Sequence, residues 1–147
     1  MLLSAQNRFS DSQALTATAV STDLIDLGAT GTVLGAPAAL VQDIGKGNPI
    51  QIFVRLDVAS GGTSPTLTVA VQMDTTAAFA SATVVATSET KAGGAAGDEI
   101  YLDVYLPEGV TERFIRLNYT LAGTTPTYTV TSGITAAKSS NTTVPGA

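Results

Sequence analysis

The sequence predicts an all-β sandwich, and three observations carry the prediction. Apolar residues recur with a period of two in short segments, clusters of Gly, Pro, Asn and Asp separate those segments, and no stretch sustains a helical period. Between the breaks the chain is rich in Thr and Val, whose β-branched side chains favour strand over helix.

Residues 1–12 lack alternation yet keep Leu2, Leu3 and Phe9 among polar neighbours, which predicts an N-terminal arm lying on another surface. Weak strand patterns follow at Ala14 to Val20, Leu24 to Leu27 and Ala38 to Ile44. The clearest strand is "PIQIFVRLDV", with Ile50, Ile52, Val54, Leu56 and Val58 facing inward and Gln51, Phe53, Arg55 and Asp57 outward. After the turn "ASGGTSP", "TLTVAVQM" repeats the pattern with Leu67, Val69, Val71 and Met73. "DTTAAFASA" is the one segment suited to a helical turn, and Thr83 to Ser88 is a further weak strand. "EIYLDVYL" puts Ile100, Leu102, Val104 and Leu106 inward. "TERFIRLNYTL" does the same with Ile115, Leu117, Tyr119 and Leu121, and Thr127 to Ile134 closes the series after "AGTTP". The total is roughly eight or nine strands in a single domain over residues 13–137, a number that allows a jelly roll. The small, polar residues 138–147 read as a flexible tail.

Composition restricts function more than it identifies it. With no His and no Cys among 147 residues, the usual general base, metal ligand and thiol nucleophile are missing, and neither a phosphate loop nor a nucleophile elbow is present. Asp23 with Asp26, and Asp98 with Glu99 and Asp103, are the local acidic groups, and neither set has calcium-loop spacing. The expectation is a non-enzyme without cofactor or metal. A net charge of −5 with only seven Lys and Arg argues against nucleic acid as a partner. The uncharged runs are too interrupted for a membrane span, and the two-residue apolar start before Asn7 and Arg8 is not a signal peptide. A charged fraction of 13% leaves a neutral, Thr-rich surface suited to packing against neighbours, including copies of the same chain, with a dimer placed ahead of a trimer.

The second face of "TERFIRLNYTL" carries Phe114 and Arg116, an aromatic and a cation in a chain poor in both. A hairpin with "EIYLDVYL" would set Asp103 opposite Arg116 and Tyr105 opposite Phe114. In a jelly roll consecutive strands cross between sheets, and these side chains then need other partners. The candidate contact residues are therefore Leu2, Leu3, Arg8 and Phe9 in the arm, and Phe114 and Arg116 on the strand.

The entry "LLSAQNRFSDSQALTATAVSTDLIDLG" and the segment "LPEGVTERFIRLNYTLAG", with "IQIFVRLDV" and "LTVAVQMDTTAAFASATVVATS" between them, resemble the jelly-roll capsid cement (decoration) proteins of tailed bacteriophages. The resemblance runs over nearly the whole chain. It implies a small jelly roll, made in the host cytoplasm, that binds the outer surface of the virion capsid as a symmetric homo-oligomer. Its partner would be the major capsid protein, whose contacts it would reinforce without catalysis. Alternatives from the residues alone are a carbohydrate-binding β-sandwich, disfavoured by the lack of Trp, and a tail or baseplate subunit.

Overall fold

The computed structural model describes residues 5–28, 31, 34–35, 49–105 and 112–135. Among the described residues a single 3-10 turn, Ala5–Asn7, precedes eight strands: β1 Arg8–Leu15, β2 Ala19–Val20, β3 Ile25–Asp26, β4 Ile50–Asp74, β5 Thr83–Thr87, β6 Lys91–Ala92, β7 Glu99–Val104 and β8 Phe114–Thr135.

The architecture follows from the two long strands. β4 and β8 pair antiparallel along their lengths, from Gln51 opposite Thr135 to Asp74 opposite Phe114. A straight 25-residue strand would extend about 80 Å. Instead the ladder shifts register repeatedly between Leu56 and Thr66, and there both strands turn a corner together. Gly62 and Gly123 take positive φ at this corner, 99° and 110°, as do Ser64 and Thr125. The two glycines also let the strands touch. A Cβ on Gly62 would meet the carbonyl oxygens of Thr124 and Thr125, and one on Gly123 those of Thr63 and Ser64. The Gly- and Pro-containing "ASGGTSP" and "AGTTP" are thus bends within continuous strands, where the sequence predicts turns between separate ones.

Past the corner the ladder forms two four-stranded layers. In the first, β1 flanks the second half of β8 and β7 flanks the first half of β4. In the second, β2 and β3 flank the first half of β8, while β5 and β6 flank the second half of β4. The chain changes layer from β1 to β2, from β3 to β4, within β4, from β6 to β7, from β7 to β8 and within β8. This is jelly-roll connectivity, and it agrees with the expected all-β sandwich. One apolar cluster joins the layers: Ile52, Val54, Leu56, Leu102 and Val130 from the first pack with Leu67, Val69, Met73, Ile115 and Leu117 from the second.

Parity reads out as the alternation predicts, with corrections. Phe53, expected outward, is only 3% exposed although it is not part of the core cluster between the layers. Val58, expected inside, is 55% exposed because the register shift begins after Leu56. In the segment Asp74 to Ala82, Asp74 ends β4 and the residues after it form turns and bends rather than a helical turn. The arm expected over residues 1–12 ends earlier, since Arg8–Leu15 is an edge strand paired with β8. Its register shifts on both sides of Ser10, so neighbouring Phe9 and Ser10 are both fully buried and alternation disappears from the sequence. Leu2, Leu3, the segment Ala38 to Ile44, Leu106 and the tail at 138–147 lie outside the described residues.

Candidate interaction surface

The outer face of the second layer is where the structure places Phe114 and Arg116. Beside them on β4 stand Asp74, opposite Phe114, and Gln72, opposite Arg116. Arg116 Nε donates to Gln72 Oε1 at 2.8 Å, and its guanidinium lies 4.1 Å from the centroid of the Phe79 ring. Phe79 comes from the loop after β4, with φ 51° and only 7% exposure. Asp74 folds that loop back: its carboxylate accepts from Thr76 N at 2.9 Å and Ser81 N at 2.8 Å. These backbone hydrogen bonds, first that of Thr76 and then that of Ser81, hold the Asp74 carboxyl below its ordinary value. Phe114 carries a second such pair, with the Arg113 guanidinium 5.0 Å from its centroid. Arg113 in turn grips Asp26 of β3 through Nε at 2.6 Å and Nη2 at 2.5 Å. The Arg113 hydrogen bond, assisted by the Gly28 N–H, lowers the Asp26 pKa, and the same pairing raises that of Arg113.

Away from this end the face is neutral. Asn118 and Ala70 are adjacent in register, with Val20 and Thr87 next to them on the flanking strands. Thr68 and Thr90 share a hydrogen bond of 2.9 Å between their hydroxyls. Val20 and Val84 are 40% and 53% exposed at opposite edges. An uncharged surface flanked by exposed valines loses little on desolvation when another protein covers it.

The contact residues expected from sequence do not form one site. Phe114 and Arg116 share this face, each with partners inside the chain. Arg8 lies on β1 in the other layer, its Nη1 bonded to Asp11 at 2.7 Å. Phe9 is fully buried in the core cluster, which removes it from the contact set. Asp103 does not face Arg116. β7 pairs with β4, where Gln51 Nε2 donates to Asp103 at 2.8 Å. Sequence reasoning missed Gln72 and Phe79, which are 44 and 37 positions from Arg116 and meet it only through the β4–β8 pairing and the Asp74 loop.

Charge is arranged economically. Every Lys and Arg among the described residues is engaged within the chain: Arg8 with Asp11, Arg55 with Asp57, Lys91 with Asp98, Arg113 with Asp26, and Arg116 with Gln72 and Phe79. The net negative charge is therefore carried by carboxylates such as Glu89, Glu99 and Asp103. Among the described residues no group of Asp and Glu has an arrangement that holds a metal ion, and no helix is long and apolar enough to cross a membrane.

No curated protein matches the chain in sequence. A family model does: the family described as Bbp16 matches residues 9–140, which takes in all of the eight described strands except Arg8, the first residue of β1. The chain therefore belongs to the phage-associated Bbp16 family.

Proposed function

We propose that the protein is a non-catalytic capsid decoration protein, bound to the outer surface of a phage head and reinforcing contacts between major capsid proteins. The observation that carries this reading is the match to a phage-associated family over nearly the whole of a jelly roll. The neutral outer face of the second layer, with Val20 and Val84 at its edges, supports it as a docking surface. So does the resemblance of the entry and "LPEG…ERFIRLNY" segments to capsid cement proteins.

The energetics suit a lattice. Burying about 500 Å² of apolar surface at about 25 cal/mol/Å² yields on the order of 12 kcal/mol gross, much of which association entropy removes. A subunit that touches two capsomers makes its second contact intramolecularly, so modest interfaces suffice when repeated over a shell. Neighbouring copies of the chain, as dimers or trimers, extend the same logic.

The test is co-sedimentation of the purified chain with phage heads assembled without it, together with the heat resistance of those heads. Saturable binding and raised resistance are expected. Absence of binding at high micromolar concentration would defeat the proposal, and binding to isolated tails instead would move the chain to a tail or baseplate role.

A further inference from the structure

We infer that Arg116 is the charged anchor of the second layer's outer face, held ready for a carboxylate on the protein that covers that face. The inference rests on the reading of this face as a docking surface and names what the partner carries there. Among the described residues Arg116 differs from the other cations in what it meets. Arg8, Arg55, Lys91 and Arg113 each pair with an aspartate, whereas Arg116 meets a neutral amide and an aromatic ring. Its charge is held in place without being cancelled. Gln72 accepts the Nε hydrogen bond and the Phe79 ring lies 4.1 Å from the guanidinium carbon, while Nη1 and Nη2 have no acceptor among the described residues. Both amino groups reach the surface, since the buried side-chain atoms left without a partner are Arg8 Nε, Gln51 Oε1 and Tyr128 Oη.

The arrangement is pre-organised. A guanidinium fixed at one nitrogen and packed on one side has lost most of its rotamer freedom before any partner arrives, and its two amino groups match the two oxygens of a carboxylate. The chain maintains this geometry at a local cost. Phe79 takes a positive φ of 51°, rare for an aromatic residue, and Asp74 secures its loop by accepting from the Thr76 and Ser81 N–H groups. The complement is not found in the register of the face itself. Asp26 and Asp74, on either side of Phe114, are committed to Arg113 and to the loop amides. A second copy laid face to face would offer the same committed pair, which favours a surface Asp or Glu of a different protein. Glu112, together with Asp43 and Glu108 outside the described residues, has no position in this register, and experiment separates these three from a partner's carboxylate.

The experiment measures binding of the full chain and its variants to phage heads assembled without it, at low and high salt, together with the ¹⁵N signal of Arg116 Nε–H in the free chain. Arg116→Gln should keep the folded spectrum, bind about tenfold or more weakly, and lose part of the salt dependence of the native chain. Phe79→Leu, which keeps the charge but removes the ring, should weaken binding by a smaller factor. In the free chain Asp43→Asn, Glu108→Gln and Glu112→Gln should leave the Arg116 signal in place. A moved signal would assign the carboxylate to this chain, and self-association of the free chain that Arg116→Gln abolishes would assign it to a second copy; either overturns the inference. So would an unchanged salt dependence, which marks a neutral acceptor. Ala70→Gln, beside Asn118 on the same face, separates the inference from the reading it rests on. If Ala70→Gln releases the chain and Arg116→Gln does not, the face docks without Arg116 as its anchor. Binding that neither variant disturbs, or a native chain that does not bind heads, defeats the docking surface and the inference with it.

Discussion

The phenolic oxygen of Tyr119 lies 2.8 Å from Ser10 Oγ and 2.7 Å from Ser132 Oγ, which ties the second layer to two adjacent strands of the first through one buried hydroxyl. The direction of this chain follows from counting protons. Gln13 Nε2 donates to Val20 O and Thr22 N donates to Gln13 Oε1, which fixes the amide, and Ser10 Oγ gives its only proton to that oxygen at 2.7 Å. Ser10 is thus an acceptor toward Tyr119, and Ser132 donates to Tyr119. Burial holds the Tyr119 pKa above its ordinary value, against the opposing bonds to Ser10 and Ser132, so the link remains neutral and intact across ordinary pH.

Tyr119→Phe should preserve the fold and lower stability by about 1 to 3 kcal/mol, because it leaves the buried Ser132 hydroxyl without its acceptor and Ser10 Oγ without its donor. In a domain of this size that is a fall of roughly 3 to 10 °C in Tm. Replacing all three groups, with Ser10→Ala and Ser132→Ala added, should recover part of the loss, since no polar partner is then left unmatched. Thermal melting of the single and triple variants checks both.

The corner gives a prediction that separates space from backbone strain. Gly62→Ala and Gly123→Ala each drive a Cβ into backbone carbonyls across the corner, and each forces Ala to a positive φ. Gly97 also has positive φ, 89°, but nothing lies within 4 Å of its Cβ position. Gly97→Ala should cost only about 1 kcal/mol from its backbone conformation, while the two corner variants should cost more than about twice that or fail to fold. Equal losses at all three positions in chemical denaturation would mean that the corner contact carries no weight.

The Arg116 pair is measurable apart from any partner. A double-mutant cycle of Arg116→Ala with Phe79→Ala should give a coupling of about 0.5 to 1 kcal/mol in denaturant unfolding, as expected for a cation over an aromatic face. Arg116 with Asp103 should show none, since those strands are not paired.

Asp57 predicts a pH dependence. Desolvation raises its pKa, but hydrogen bonds from Thr131 at 2.6 Å, from Arg55, and from Ser12 at 3.2 Å together outweigh it and hold the carboxyl below its ordinary value. A group depressed in the folded state contributes stability that is complete above its unfolded pKa of about 3.9 and is lost as pH falls through the folded value. Stability should therefore decline below about pH 4, and Asp57→Asn should flatten part of that decline while lowering stability at pH 7. Unfolding curves from pH 7 to pH 2 for the two proteins measure the difference.

How far the sequence revealed this molecule depends on which interactions are local. The inward sets of β4, β7 and β8 were readable because period-two alternation maps directly onto one buried face. Phe9 was not, because the register shifts around Ser10 bury two successive residues and make a core strand resemble an arm. The corner residues show the turn chemistry of Gly and Pro, but the bending of two strands together is a property of the pair. At the interaction surface Phe114 and Arg116 were identified as outward, while Gln72 and Phe79, which occupy Arg116, were hidden by sequence distance.

The capsid reading is tested most directly by locating the chain in purified virions. Heads separated from tails would be analysed for the copy ratio of this chain to the major capsid protein, and intact virions probed with antibody raised against the folded domain. A fixed ratio in heads together with antibody binding on the outer head surface is the expected result. A chain confined to tails, or absent from purified virions, would contradict the account.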